Sequence, residues 1–400
     1  MATFAPDGVT GQYWEYSKWR AAHRVFSAIM GTMATQAMLT AIGVGSSTAI
    51  PAAAALNWVL KDGLGKVGKL GVTAAFGRSF DSDLKRFRYA AAIIMVACET
   101  VEMVTPLFPG SFLLLASLSS CGKAVALSTA LAVQPAIHKT FSTVDNMAEI
   151  TAKSQAQHVI VDNTGLALAV FLTKLMYRRN ASWARVGGLN GPILLFPLLI
   201  ACELACTHKE LEAVQLRTLN RERAELAVAE WVATGAVGGP AAVSQREGLL
   251  VPPWLLHPEC QPRLELLPVS RLAAGPEDLE DLVSGRERGA MHALRARGRG
   301  LGRAGRGRVE GLGVAMEHGA GGREYLAALL HAAYLRAQLP RGKDGRLAPV
   351  TTAQARVLER EAGRAAAASV GRLEESLRRS GWDTSKVYLS SRERVSFVLS

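Results

Sequence analysis

Long runs without charge, built from small and apolar residues and interrupted at Gly and Pro, dominate the first 235 residues of this 400-residue chain. The stretch from Val25 to Leu60 carries no charged side chain, with Arg24 and Lys61 at its ends. A bilayer-spanning helix needs roughly 20 apolar residues, so the stretch is too long for one span, and Gly43-Val44-Gly45 and Pro51 divide it. The pattern predicts one helix over 25–42 and a second over 51–61. Pro51 stands in the first turn of the second, where its missing N–H costs nothing. Their Ala, Gly, Ser and Thr content favours close approach of helix backbones. Further helices are predicted over 89–105, ended by Pro106 and Pro109, and over 111–137, broken near Gln134-Pro135. A polar helix over 141–157 and an apolar one over 159–175 come next. The last apolar stretch covers 191–206, and a charged amphipathic helix continues from it over 204–231. No sustained period-two alternation occurs in this half, so no sheet is expected there.

The second half changes character. Gly238-Gly239-Pro240, Pro252-Pro253 and a Gly/Arg tract over 295–308 punctuate residues 236–320. The tract has no apolar face to bury and reads as disordered. Helices are predicted again over 325–339 and 351–380. Two short β-like runs, 386–389 and 394–399, flank Ser390-Ser391 as a hairpin. The chain is therefore read as mainly α, with three parts. These are a membrane-associated helical core of close-packed small-residue helices (6–235), a largely disordered Gly/Pro/Arg-rich linker (236–320) and a small C-terminal α+β unit (321–400).

The net charge of +12 arises mostly from Arg. A basic excess fits an anionic partner such as a lipid surface or nucleic acid. Together with high Ala and Gly it fits a GC-rich coding sequence better, so no specific nucleic-acid partner is expected. Five scattered cysteines do not make a disulfide framework. The N-terminus has neither a secretory signal nor an Arg/Ser-rich transit peptide.

Candidate chemistry is sparse. Gly63-Leu64-Gly65-Lys66-Val67-Gly68 matches a dinucleotide fingerprint, but an Ala-rich helix precedes it where a strand is required. What remains is a hinge in which Lys61, Asp62, Gly63, Gly65, Lys66 and Gly68 are candidate phosphate-binding residues through backbone N–H groups and charge. Asn146, Glu149 and Lys153 stand at helical spacing and form either a solvated face or a polar ligand surface. Glu99, Glu102 and Asp162 are carboxylates inside apolar segments. There they must be paired, protonated or part of an ion path. Tyr13, Trp14, Tyr16 and Trp19 suit either a membrane interface or a packed amphipathic helix. Cys202, Cys206 and His208 lack a second ligand pair, and no metal is assigned. His23, His138 and His158 read as core or surface residues. No nucleophile, base and orienting group stand together, so no enzymatic activity is expected.

Several of these segments recur in one family in the same order. They are Gly31-Thr32-Met33-Ala34-Thr35-Gln36-Ala37, Gly43-Val44-Gly45, 58–65 (WVLKDGLG), Phe80-Asp81-Ser82-Asp83, Pro106-Leu107-Phe108-Pro109 and 146–153 (NMAEITAK). Over 6–231 the chain resembles the root UVB sensitive (RUS) family, and Gly381-Trp382-Asp383 resembles its C-terminal region. The resemblance points to a plant or green-algal source. It implies a membrane-associated helical protein, tied in plants to plastids, UV-B responses, early development and vitamin B6 homeostasis, and working with other family members or with itself. It supplies no catalytic residue. The leading expectation is a membrane-associated, non-enzymatic scaffold. The alternative is a carrier or binding protein for a small anionic metabolite such as a B6 vitamer. That reading expects Glu99, Glu102 and Asp162 to meet in one cavity with Lys61 or Lys66 at its mouth. No cofactor is required, although a sensor of pyridoxal phosphate would place a lysine in a closed pocket.

Overall fold

Tyr13, Tyr16, Arg20, His23, Met30 and Met38 fall on one stripe at helical spacing, and all are buried. The stripe is the inner face of helix α1 (Gln12–Ala41), which begins well before the helix expected at 25–42. The computed structural model describes residues 6–42, 83–144, 146–178, 185–186, 189–273, 276–284, 290–298, 301, 305–344, 346–389 and 396–397. The helix expected at 51–61 and the hinge at 61–69 lie outside them. Two units form, Met1–Val214 and Gln215–Ser400. The division by contacts falls at 214, inside the stretch read as the helical core (6–235).

In the N-terminal unit α1 packs against α2 (Leu84–Val104), α4 (Met147–Arg178) and α5 (Gly191–Glu212), while α2 packs against α3 (Phe112–Lys139). The aromatic cluster divides by helical phase. Tyr13 and Tyr16 pack on Phe141, with ring centroids 5.8 and 4.8 Å away, whereas Trp14 is half exposed. Close backbone packing is real at Gly165, where an added Cβ would stand 2.6 Å from the Ala28 Cβ and 3.2 Å from the Val25 carbonyl.

Three expected boundaries are corrected. Pro135 lies inside α3 and does not break it, and α5 likewise contains Pro197. An interior proline costs about 3 kcal/mol, yet both helices continue through it. The polar 141–157 and apolar 159–175 segments share one helix, α4, which starts at Met147. The helix expected over 204–231 is two. α5 stops at Glu212 and β3 (Thr218–Asn220) intervenes; α6 (Arg221–Thr234) then starts at Asn220, whose side chain accepts from the Arg223 amide at 2.9 Å. A two-residue antiparallel pair, β1 (Arg185–Val186) and β2 (Leu189–Asn190), also appears where no sheet was expected.

Among the described residues, four stretches are long and apolar enough to cross a membrane: Leu84–Leu107, Phe112–Lys139, Met147–Leu175 and Pro192–Glu212. Their large apolar side chains face outward: Leu114 is 71% exposed, Phe171 62% and Leu198 61%. Charged residues such as Glu102, Glu203 and Glu210 face inward.

The C-terminal unit corrects the reading of 236–320 as a linker. Strand β7 (Gly311–Glu317) pairs in parallel with β4 (Arg263–Leu266) and β10 (Ser396–Phe397), and antiparallel with β5 (His292–Arg297). Short helices α7 (Pro240–Arg246), α8 (Pro253–Leu256) and α9 (Pro276–Ser284) lie in the same stretch, as does β6 (Arg306–Gly307), which pairs with β8 (Val350–Thr351). Leu264, Leu312 and Val314 from the strands share a core with Leu326 and Leu330 of α10 (Gly322–Gln338) and Leu373 and Leu377 of α11 (Thr352–Arg379). Among the described residues the expected terminal hairpin does not form. β9 (Asp383–Tyr388) pairs in parallel with β3, and β10 with β7. Strand partners came from far along the chain, which local pattern does not reveal.

Candidate functional site

The charged part of the α1 stripe builds a buried polar centre in the N-terminal unit. Glu210 of α5 is fully buried. It lies 3.5 Å from the Arg20 guanidinium, 3.3 Å from that of Arg88 and 3.4 Å from His23 Nε2. Arg20 reaches sideways as well, donating from Nε to His158 Nε2 at 2.6 Å and from Nη1 to the Tyr16 hydroxyl. Arg88 donates to His23 Nε2 at 3.0 Å. An arginine has no acceptor, so both imidazoles accept at Nε2. Burial, and then the Arg88 and Arg20 charges, hold His23 well below the usual imidazole range. His23 is therefore neutral at pH 7, with its proton on Nδ1. Burial likewise pushes the Tyr16 phenol up to about 12, keeping it protonated.

Beside this network is a cavity of about 280 Å³, lined in part by Arg20, His23, Ser27, Arg88, His158 and Glu203. Among the described residues, two lining atoms are buried without a hydrogen-bond partner, His23 Nδ1 and Glu203 Oε2. Ser27 bonds the Glu203 carboxyl. The cavity thus offers cationic donors, a neutral imidazole N–H and a carboxylate oxygen. Such a set can hold a small polar anion with a donor at its far end.

The carboxylates singled out in the sequence do not meet there. Glu102 is bonded to Ser119 Oγ at 2.7 Å and to Lys123 Nζ at 2.6 Å. Glu99 lies 3.9 Å from the same ammonium. Asp162 pairs with both nitrogens of an Arg24 fork, one at 2.8 Å. Structure therefore separates them into two ion-paired sites. Asn146, Glu149 and Lys153 are brought together, but around the start of the chain. Asn146 donates to the Asp7 carbonyl, Glu149 accepts from the Asp7 amide at 3.4 Å, and Lys153 pairs with Glu149 at 2.6 Å. Lys61, Asp62, Gly63, Gly65, Lys66 and Gly68 lie outside the described residues. Cys202 and Cys206 are free thiols, and His208 faces Glu212 at 3.4 Å.

Arg20, His23, Arg88, His158 and Glu210 were not singled out as a site. One signal was available: Tyr16, Arg20, His23 and Ser27 follow at three- and four-residue steps, a polar line on a helix flanked by apolar runs. Their partners on the second, fourth and fifth helices left no such signal.

A unit of long helices, apolar outside and charged within, followed in the chain by an α+β unit, defines the general class. Comparison places it more narrowly. Residues 4–235 match the family described as the vitamin B6 photo-protection and homoeostasis domain. The chain is 32% identical to protein root UVB sensitive 4 of Arabidopsis thaliana, over 99% of its own length and 75% of that relative's. It is 33% identical to protein root UVB sensitive 6 of the same plant, over 62% of this chain and 48% of that one. With RUS family member 1 of Dictyostelium discoideum it shares 29% identity, over 61% of this chain and 46% of the relative. The chain belongs to the root UVB sensitive family. It spans about half the length of the second and third of these relatives. No solved structure matches it.

Proposed function

We propose that the chain is an integral membrane member of its family. In this reading it serves as a non-enzymatic scaffold that associates with other family members or with itself, in processes linked to UV-B response, early development and vitamin B6 homeostasis. One observation carries the membrane part: the outward faces of the long N-terminal helices are apolar, with Leu114, Leu118, Val159, Phe171 and Leu198 each more than 60% exposed. Exposed patches of this extent mark contact with lipid or with another apolar surface. A plastid membrane is the site of choice, since one relative is named protein root UVB sensitive 2, chloroplastic. The full-length chain is expected to stay in the membrane pellet through carbonate extraction and to need detergent for release. Appearance in the carbonate supernatant would remove the integral reading.

A second reading is favoured by the cavity, where His23 Nδ1 and Glu203 Oε2 are buried without partners. Here the unit holds a small anionic metabolite such as a B6 vitamer between Arg20, Arg88 and Glu203. Pyridoxal phosphate should then raise the melting temperature of the detergent-solubilised protein. Ser27→Leu, which fills part of the cavity, should abolish the rise. An equal shift in both proteins would place the vitamer elsewhere.

A further inference from the structure

Strand β5 borders the four-stranded sheet of the C-terminal unit. One of its edges pairs with β7, and among the described residues no strand lies on the other. In an antiparallel pair every second residue turns its N–H and C=O toward the partner, and the residues between turn theirs away. The Glu317 amide donates to the Met291 carbonyl at 2.8 Å, so Met291, Ala293 and Arg295 face β7. The Ala296 amide instead donates to Glu359 Oε1 at 2.7 Å, on the far side. Leu294 stands two residues before Ala296, so its N–H and C=O point the same way. Leu294 is 4% exposed, and among the described residues neither backbone group has a hydrogen-bond partner. Buried backbone groups are almost always paired, so an open N–H and C=O at one buried residue mark a place for a ligand or for water.

A cavity of about 250 Å³ follows this edge, lined by residues 290–295 in succession and by Glu359. A cavity of about 150 Å³ is enough for benzene, so this one has room for a small molecule. Its sides belong to the two faces of the sheet. Successive strand side chains point to opposite faces. Ala293 packs with Leu282 of α9, whereas Leu294 belongs to the core shared with α10 and α11. Leu282 therefore lines the cavity from one face, and Ala327 and Val370 line it from the other. Both walls are apolar, as the alternating side chains of an added strand require.

The charges beside the strand are paired with one another. Arg295 contacts Asp278, Asp281 and Glu359 at 2.9, 2.9 and 3.0 Å. Arg356 contacts Asp278 at 2.7 Å and Glu359 at 3.1 Å. Acids match or outnumber the cations in this group, so it favours a neutral ligand over an anion. Arg295 also lines the cavity, and its Nε is buried without an acceptor among the described residues, which adds one more donor. An apolar chamber with a few convergent polar groups is the usual form of a small-molecule site. Here the polar groups are those that one residue of an extended peptide satisfies, since its own N–H and C=O lie on one side at the matching spacing.

We propose that this cavity binds a short neutral peptide as an added strand on β5. One peptide residue exchanges N–H···O=C bonds with Leu294. Opposite residues share a face, so its apolar side chain rests on Ala327 and Val370, while the flanking groups meet Leu282. The test uses the detergent-solubilised full chain and isothermal titration with three probes. These are N-acetyl-L-leucinamide, its analogue methylated on the leucine nitrogen (no N–H to give) and N-acetylglycinamide (no side chain). The methylated analogue should bind at least about fivefold more weakly, because it leaves the Leu294 carbonyl buried and unpaired. The glycine compound should bind about tenfold more weakly for want of the apolar contact. Ala327→Phe should abolish binding by filling the chamber. Hydrogen exchange read by NMR locates the ligand. With N-acetyl-L-leucinamide bound, the Leu294 amide should exchange more slowly, while those of Ala293 and Arg295, already bonded to β7, should not change. If Ala327→Phe does not fold, the exchange at Leu294 decides. No binding of N-acetyl-L-leucinamide, equal affinity for the methylated analogue, unchanged affinity in a folded Ala327→Phe protein, or unchanged exchange at Leu294 would each overturn the proposal.

Discussion

Glu210→Ala is expected to destabilise the N-terminal unit by about 3–5 kcal/mol, the cost of leaving buried charge without its partner. Arg20 and Arg88 are both buried and both lie within 3.5 Å of this one carboxylate. Removing it leaves two guanidinium ions facing each other across a neutral His23. Since a domain is typically stable by about 5–15 kcal/mol, a large share of the margin disappears. Thermal unfolding of the detergent-solubilised protein is the measurement. A melting temperature like that of the wild type would show that Glu210 is not the keystone of the network. Arg88→Met/Glu210→Leu is expected to recover part of the loss, because it leaves one stranded guanidinium, that of Arg20, in place of two. If the double variant is worse than Glu210→Ala, packing rather than charge governs the site.

The C-terminal unit is expected to lose stability on mild acidification, with His331 as the main cause. The pKa of its buried ring is depressed from 6.5 to about 4. Between these values the unfolded chain binds a proton that the folded one does not, so stability rises with pH across that window. The contribution is fully present above pH 6.5 and is lost as pH falls toward 4. At 1.36 kcal/mol per unit, its size is about 3 kcal/mol. Charging the ring would also disturb its contact with His292, whose Nε2 lies 3.1 Å from His331 Nδ1, since a protonated Nδ1 could no longer accept. Hydrogen exchange of α10 reads the effect. Protection over 322–338 should be constant above pH 6.5 and fall progressively below it. His331→Gln should flatten this acid limb while lowering protection at pH 7. An acid limb of equal depth in the variant would assign it to other groups.

How far the sequence could be read differs between the two units. Helices at 89–105, 111–137, 325–339 and 351–380 were legible to within a few residues, because apolar periodicity and punctuation by Gly and Pro are local. The outer parts of α1 were missed because Tyr13, Arg20 and His23 look polar or interfacial until partners from other helices neutralise them. Arg295 shows the same limit more sharply. It opens the Gly/Arg tract read as disordered, yet it lies buried in β5, held by Asp278, Asp281 and Glu359. An arginine run without apolar neighbours predicts solvent exposure unless acids come to it, and here they come from 14 to 64 residues away. Pro135 errs in the opposite direction, since packing can carry a helix through a local fault.

By itself, then, the sequence determined the family, the mainly helical class and the long apolar segments, because composition, motif order and short-range periodicity survive without a fold. Only the tertiary structure decided which charges meet. It separated Glu99 and Glu102 from Asp162, and gathered Arg20, His23, Arg88 and Glu210 around one buried centre. It also drew β4, β5, β7 and β10 into one sheet across more than a hundred residues. The reason is physical: helix periodicity is set by neighbours three and four residues away, whereas the pairing of buried charges and the registry of strands depend on groups that only folding brings together.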